Sequence, residues 1–251
     1  MTPPAPAAPA PAPGSAAPLG DVEPHLPDPL ARADRRRLSV AFVPYVALSL
    51  VHLVVLAADL GAGAVTASKL LLMPAIVVAV VLARPRRRST AALLISAIAL
   101  SWGGDALLTG SGDGWFVAGL LSFLAAHVAY VVLFVRLPAA GRRLPWWTLA
   151  YAAWFAGFLA LLAPGLGGLL VPVAVYGLVL GTMAALAGGL GGLVALGGAL
   201  FVVSDSVLAL GRFLPGYEFA AHDLVVMSTY LAAQGLIALG VLTRRVGGPA
   251  R

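Results

Sequence analysis

Eight stretches of mainly apolar residues run along the chain, and short polar segments separate them. A helix that crosses the hydrocarbon core of a bilayer needs about 20 such residues, and each stretch has roughly that length. The stretches are residues 40–59, 65–83, 91–109, 116–135, 146–164, 168–187, 189–210 and 223–243. We therefore predict an all-α, polytopic membrane protein with eight transmembrane helices. The span boundaries between residues 164 and 192 are the least defined, because only brief Pro- and Gly-containing breaks occur there.

Positive charges concentrate at one end of the predicted bundle. Fourteen of the 16 Lys and Arg residues precede span one, follow span eight, or lie between spans two and three or four and five. Only Lys69 and Arg212 fall at the opposite end. Cytoplasmic loops carry an excess of Lys and Arg, so both termini are predicted to be cytoplasmic. The formal charge of +6 is thus a topology signal, and no nucleic-acid partner is expected.

The ends of the chain differ in composition from the spans. Residues 1–38 form an Ala- and Pro-rich tail followed by a basic juxtamembrane segment, and the tail is predicted to be disordered. It is not a signal peptide, because no basic segment precedes an apolar one there. Residues 39–244 form the membrane domain, and residues 245–251 form a short basic tail. The richness in Ala, Gly and Leu is typical of a bacterium with a GC-rich genome, so we expect a multi-pass protein of the bacterial inner membrane.

Two aspartates interrupt the apolar spans. Asp105 lies in span three and Asp205 in span seven. A carboxylate in hydrocarbon is costly unless it is paired or neutral, so such residues are functional candidates. No Lys or Arg falls in the centre of a span, so neither aspartate has an evident counter-ion. The two lie 100 residues apart, and each is followed 25 residues later by a tyrosine, Tyr130 or Tyr230. This recurrence is compatible with two parallel four-helix repeats.

Further polar residues share helix faces near the aspartates. Residues at i, i+4 and i+7 lie on one face of a helix. The faces carry Phe123, His127 and Tyr130 on span four, and Asp223, Met227, Tyr230 and Gln234 on span eight. Such residues are also common as plain interhelical hydrogen-bond partners. His127 and the two aspartates are three potential metal ligands, but no HxxxH or HxxE spacing occurs and cysteine is absent, so we expect no metal or other cofactor.

These polar residues belong to short motifs in both halves of the chain. The first half contains SKLLLMP (68–74), WGGDALL (102–108) and a patterned run from Phe116 to Tyr130. The second half contains Tyr176, Met183, GGALFVVSDSVLA (197–209), Met227, Tyr230 and Gln234. In this order and spacing the motifs resemble those of the YhhN family, the lysoplasmalogenases, over about residues 40–243.

The resemblance implies an activity and a set of residues. Family members hydrolyse the vinyl-ether bond of lysoplasmalogens to a fatty aldehyde and glycerophosphoethanolamine or glycerophosphocholine. The expected partners are therefore a lysophospholipid substrate and the bilayer, with no protein partner. The resemblance also implies eight spans. The two motif aspartates of the family map onto Asp105 and Asp205, and its motif lysine maps onto Lys69.

The chemistry of vinyl-ether hydrolysis suits a pair of carboxyl groups. Protonation of the β-carbon leaves an oxocarbenium ion, which water captures, and the hemiacetal then collapses. The reaction needs one protonated acid and one anion, the pair that glycosidases also use. The sequence does not determine which aspartate is the acid; Asp205 is preferred, and Asp105 would stabilise charge or activate water. His127 and Tyr230 would orient the water or the acid. The predicted substrate-binding residues are Lys69, Tyr130, Ser204, Gln234 and Arg212, with Lys69 preferred over Arg212 for the phosphate.

Two other functions remain compatible with the pattern. Intramembrane carboxylates and parallel repeats also occur in proton-coupled transporters, and a non-catalytic lipid-binding protein would show the same spans. A hydrolase needs both aspartates around a lipid-accessible pocket and turns over without a gradient. A carrier needs access from both faces of the membrane and responds to pH or potential.

Overall fold

The structure, a computed structural model, describes residues 29–83, 87–137 and 144–244, with side chains from residue 36 onward. All regular structure in these ranges is helical, which confirms the predicted all-α class. The α-helices are α1 (Pro29–Ala57), α2 (Ala62–Leu82), α3 (Arg88–Leu107), α4 (Asp113–Arg136), α5 (Leu149–Leu166), α6 (Leu170–Leu190), α7 (Gly192–Phe213) and α8 (His222–Thr243). Most of the predicted N-terminal tail and the C-terminal tail 245–251 lie outside the described residues.

Seven segments of the described chain are long and apolar enough to cross a membrane. This finding confirms a multi-pass membrane protein. One segment, Trp146–Leu190, has 45 residues and contains both α5 and α6. Gly188 packs against the Trp147 ring, and Gly177 packs against the Phe155 ring. These contacts show that the chain reverses direction within that segment. The two helices therefore form an antiparallel pair.

Glycines define the two boundaries that the apolar pattern leaves open. The reversal between α5 and α6 occurs at Gly167, which has φ +48°. The turn between α6 and α7 uses Gly191 and Gly192, with φ +72° and +57°. Glycine adopts such positive φ values readily because it has no Cβ. A continuous apolar stretch is thus divided into separate helices by backbone conformation, which hydropathy does not report.

Consecutive helices pack against each other except α4 and α5, of which α4 packs on α6 instead, and α1 closes the bundle against α8. The connections α1–α2, α3–α4, α5–α6 and α7–α8 lie at one end, the turn end. The first helix begins and the last helix ends at the opposite, terminal end. Helix α5 packs only on α6 and α7 among the α-helices, so it lies at the periphery. The tightest contacts occur between α3 and α4 and between α7 and α8, the pairs that carry the two aspartates.

A proline in α2 explains how that helix is joined to α3. Pro74 has no amide hydrogen, so the Leu70 carbonyl, four residues earlier, lacks its helical donor. The Trp102 indole Nε1 of α3 donates to this carbonyl at 2.9 Å. The bond holds α2 against α3 next to Lys69 and Asp105. The carbonyl that Pro74 leaves without a helical donor thus accepts a hydrogen bond from α3, beside the candidate site.

Candidate active site

Asp105 lies in the last turn of α3 and has two polar partners. The Tyr230 hydroxyl of α8 donates to its Oδ2 at 2.8 Å. The Lys69 Nζ of α2 lies 3.4 Å from its Oδ1, and the Asp105 side chain is only 4% exposed. The expectation that neither aspartate has a counter-ion is therefore wrong for Asp105. Lys69 lies two turns inside α2, so its ammonium reaches the carboxylate.

Asp205 lies in the middle of α7 and has neutral neighbours. The Tyr176 hydroxyl of α6 donates to its Oδ2 at 2.5 Å. The Nε2 of His127, from α4, lies 3.8 Å from the same oxygen, and the Asp205 side chain is 10% exposed. Among the described residues, no Lys or Arg forms an ion pair with Asp205. The two carboxyl groups thus occupy different electrostatic environments.

The contacts of the two aspartates follow one pattern across the two halves of the bundle, α1–α4 and α5–α8. Each aspartate contacts a residue on the preceding helix of its own half: Lys69 for Asp105 and Tyr176 for Asp205. Each also contacts a residue on the last helix of the other half: Tyr230 for Asp105 and His127 for Asp205. The halves therefore complete each other's site.

Phe201 joins the two halves of the site. Its ring lies edge-on to the rings of His127, at 4.7 Å between centroids, and Tyr230, at 5.5 Å. It also precedes Asp205 by one turn of α7. Phe201 and Tyr176 were absent from the predicted site, although both lie in the motifs. Neither the 29-residue interval from Tyr176 to Asp205 nor an aromatic ring in an apolar span indicates such a contact.

Three of the predicted substrate-binding residues make contacts within the protein. The Tyr130 hydroxyl donates to Gln234 Oε1 at 2.5 Å, which links α4 to α8. The Ser204 hydroxyl donates to the Val226 carbonyl at 3.0 Å, which links α7 to α8. These bonds stabilise the helix pairs behind the aspartates. A contact of Tyr130, Gln234 or Ser204 with substrate stays a prediction.

A narrow, mainly apolar pocket with a cavity volume of about 70 Å³ extends from Asp205 toward the turn end. Asp205, Tyr176 and Trp154 line its deep end, and Phe116 and Phe213 line its outer end. This volume is below the range of about 300–1,000 Å³ that is usual for small-molecule sites, so the lining side chains must move apart to admit a ligand. Asp105 is not among the lining residues. Of the two predicted catalytic carboxyl groups, only Asp205 faces this pocket.

Arg212 marks the outer end of the pocket. Its guanidinium donates to the Asp113 carboxylate and lies over the Phe116 ring, 5.0 Å from the centroid. Phe116 in turn contacts Phe213 edge-on, with 5.6 Å between ring centroids. Both rings line the pocket, and the Arg212 side chain is 42% exposed. The predicted phosphate ligands are thus separated: Lys69 lies beside Asp105, and Arg212 lies at the pocket mouth.

The described residues contain no group of three or more His, Cys, Asp or Glu side chains arranged to hold a metal ion. His127 and Asp205 approach each other, but Asp105 instead forms an ion pair with Lys69 and accepts a hydrogen bond from Tyr230. The chemistry that the side chains themselves offer is proton transfer by the Asp205 carboxyl group at the end of an apolar pocket.

Comparison with known proteins identifies the family. The YhhN family matches residues 64–241. The lysoplasmalogenase TMEM86B of Rattus norvegicus is 38% identical over 153 residues, which are 60% of this chain and 61% of that protein. The lysoplasmalogenase TMEM86B of Homo sapiens is 40% identical over 150 residues, 60% of this chain and 63% of that protein. A lysoplasmalogenase of Mycobacterium bovis is 34% identical over 185 residues, 69% of this chain and 67% of that protein.

The chain spans less than two thirds of the length of the mammalian relatives that it matches. No solved structure matches it. The family match itself extends from the start of α2 almost to the end of α8, and it includes both aspartates and all of their partners. The protein belongs to the YhhN family.

Proposed function

We propose that this protein hydrolyses the vinyl-ether bond of lysoplasmalogens to a fatty aldehyde and the glycerophospho-alcohol. The observation that carries the proposal is the Asp205 carboxyl group at the deep end of an apolar pocket. A second carboxylate, Asp105, is held by Lys69 and is connected to Asp205 through Tyr230, Phe201 and His127. A single-chain lipid can place its reactive bond beside the acid at the end of such a pocket. The names of the relatives, lysoplasmalogenases of mammals and of a mycobacterium, support the same activity.

The reaction assigns different tasks to the two aspartates. Asp205 donates its proton to the β-carbon of the vinyl ether, and the remaining cation is shared between the α-carbon and the ether oxygen. Water adds to the α-carbon and gives a proton back to the Asp205 carboxylate. The hemiacetal then loses the glycerol oxygen, which takes up the hydroxyl proton, and the aldehyde is left. One water is consumed, and the acid is regenerated.

The contacts of each aspartate support this assignment. An ammonium 3.4 Å from Asp105 supplies the charge that a carboxylate needs inside a membrane domain, so Asp105 is suited to act as the anion that stabilises the oxocarbenium ion. Asp205 instead has a tyrosine hydroxyl as its hydrogen-bond partner and faces the pocket. We therefore propose Asp205 as the acid.

His127 and Tyr230 have supporting tasks in this mechanism. Both ring nitrogens of His127 lack a hydrogen-bond partner among the described residues, and Nε2 lies 3.8 Å from Asp205, too far for a direct hydrogen bond. A ring in this position can orient the attacking water. Tyr230 holds Asp105 through its hydroxyl. Tyr130, Gln234 and Ser204 support these groups from behind.

Aldehyde release is the direct test of the activity. The purified protein in detergent should release fatty aldehyde from 1-alkenyl lysophosphatidylethanolamine, and it should not cleave the 1-alkyl analogue, which has no double bond to protonate. Turnover in detergent requires no gradient, so it would also exclude an obligatory carrier role. A folded protein that releases no aldehyde from either the ethanolamine or the choline substrate would overturn the proposal.

We further infer eight spans, with both termini in the cytoplasm and the turn end on the outer side of a bacterial inner membrane. A straight 45-residue helix would measure about 68 Å, more than twice the hydrocarbon thickness of about 30 Å. The reversal at Gly167 supports counting α5 and α6 as two spans. The reciprocal contacts of the two aspartates support the two parallel four-helix repeats, because an axis along the membrane normal would relate them.

Cysteine labelling tests this topology cleanly, because the chain has no cysteine of its own. A membrane-impermeant maleimide applied to intact cells should label Ser111→Cys and Gly168→Cys proteins, which carry the new thiol at the turn end. It should label Thr243→Cys only after permeabilisation. Labelling of Gly168→Cys that also required permeabilisation would contradict the eight-span arrangement.

A further inference from the structure

Arg212 and Asp205 lie on the same side of α7, seven residues apart. Residues at i and i+7 share a helix face, and the rise of 1.5 Å per residue separates them by about 10 Å along the axis. Asp205 lies at the deep end of the pocket, and Phe116, which Arg212 covers, lies at its outer end. A carboxyl group and a guanidinium are thus held at the two ends of one apolar pocket.

This separation matches the dimensions of a lysophospholipid. About seven bonds connect the phosphorus with the carbon that is protonated, and an extended chain covers about 3.5 Å in three bonds. The two atoms are therefore about 8 Å apart, and the flexible Arg212 side chain can cover the remaining distance. A phosphate at Arg212 places the vinyl ether beside Asp205.

The present partner of Arg212 is easily displaced. Asp113, which accepts its hydrogen bond, is 83% exposed. Ion pairs of this kind on a surface are weak, because water solvates both charges. A phosphate presents several oxygens to the planar guanidinium and can bind it in a bidentate manner. The Phe116 ring beneath the guanidinium keeps the side chain at the mouth when Asp113 is released.

The pocket also has a side through which a lipid chain can enter. Helices α4 and α5 both line it, through Phe116 and Leu120 on one side and Phe158 and Leu162 on the other. Yet α4 packs on α3 and α6, and α5 packs on α6 and α7. Since α5 is peripheral, the gap between α4 and α5 faces the bilayer. A chain can therefore pass from the lipid into the pocket while its headgroup stays at the interface.

We propose that Arg212 binds the phosphate of a lysophospholipid whose glycerol backbone lies in the pocket and whose single chain leaves it beside Asp205 through the gap between α4 and α5. The identity of the chain-bearing ligand rests on the proposed function. The site differs from the one preferred from the sequence, where Lys69 binds the phosphate, because Lys69 is engaged by Asp105. Asp113 then acts as a competitor that is exchanged for the substrate.

Binding without turnover tests this inference separately from the activity. The probe is a 1-alkyl lysophosphatidylethanolamine with bromine atoms on its chain, which cannot be hydrolysed at a vinyl ether. Trp154 lines the pocket, so contact with bromine should quench its fluorescence, and a Trp154→Phe protein gives the background from the other tryptophans. Arg212→Ala should weaken binding of the probe about tenfold. Arg212→Lys should retain part of the affinity, since it keeps the charge but not the planar fork.

Three controls make the outcome decisive. Arg136→Ala removes an exposed arginine from the opposite end of α4 and should not change binding. Asp113→Asn removes the competitor and should tighten binding. A brominated 1-alkylglycerol, which has no phosphate, should bind wild type and Arg212→Ala equally, and millimolar inorganic phosphate should not displace the probe. Equal affinity of wild type and Arg212→Ala for the phospholipid probe would overturn the inference, even in a protein that releases aldehyde.

Discussion

The Asp205→Asn protein should release aldehyde about a thousandfold more slowly than the wild type. General acid catalysis by a positioned group contributes about 10²–10⁴ in rate, and here the acid must protonate a carbon, for which water is a poor substitute. A loss of this size corresponds to about 4 kcal/mol of transition-state stabilisation. The rate should be measured under single-turnover conditions, with the enzyme in saturating excess over 1-alkenyl lysophosphatidylethanolamine, so that product release does not mask the chemical step.

The asparagine variant is a sharp test because it changes little else. Its amide oxygen can still accept the Tyr176 hydrogen bond, which is 2.5 Å long in the wild type. Tyr176→Phe removes only that bond and should cost about tenfold in rate. Asp223→Asn changes an exposed carboxylate at the start of α8 and serves as the matched control with wild-type turnover. If Asp205→Asn folded and turned over within a few-fold of wild type, Asp205 would not be the acid.

Much of the fold can be predicted from the sequence, because the bilayer sets the length and the apolar character of each span. Each span must satisfy its own backbone hydrogen bonds, so length and hydropathy almost suffice to find the helices. The prediction failed to define only the boundaries at Gly167 and Gly191, where a turn interrupts an apolar run without a polar residue. Positive φ at these glycines is a property of the backbone, and no change in hydropathy accompanies it.

The site was harder to predict because its contacts are between helices. The equal spacing of Tyr130 and Tyr230 after the two aspartates suggested equivalent partners. Instead, Tyr230 donates to Asp105, whereas Tyr130 donates to Gln234. A repeat in sequence sets the helix and the face on which a residue lies. The partner depends on the arrangement of the helices in space: Tyr130 of α4 reaches α8, whereas Tyr230 of α8 reaches α3.

The ion pair of Lys69 with Asp105 is a second contact between helices that the sequence did not predict. The place of Lys69 near the start of a span suggested a side chain at the interface, where it would be free to bind phosphate. The Trp102 bond to Leu70 instead holds this part of α2 against α3, and the ammonium lies 3.4 Å from Asp105. The two roles of Lys69 predict different kinetics. A phosphate ligand affects KM, whereas a counter-ion of the catalytic anion affects kcat.

Removing the charge of Asp105 should therefore lower both stability and rate, and a second substitution should separate the two losses. Asp105→Asn leaves the Lys69 ammonium without its partner, which should lower the free energy of unfolding by about 2 kcal/mol. This is below the 3–5 kcal/mol lost on breaking a fully buried pair, because Lys69 is 18% exposed. Adding Lys69→Met removes the unpaired charge and should restore most of the stability, measured as the thermal unfolding midpoint in detergent.

Activity should not return with stability in the Lys69→Met/Asp105→Asn protein. If Asp105 is the anion that stabilises the oxocarbenium ion, the double variant should remain about a hundredfold slower than wild type in kcat, since fixed charges at the reacting centre contribute about 10²–10³. Recovery of kcat would instead mean that Asp105 serves only to neutralise Lys69. The Lys69→Met protein alone distinguishes the two roles of the lysine: a fall in kcat at constant KM assigns it to Asp105, and a rise in KM at constant kcat assigns it to the phosphate. Because Arg212 lies at the pocket mouth and Lys69 does not, we expect the first result.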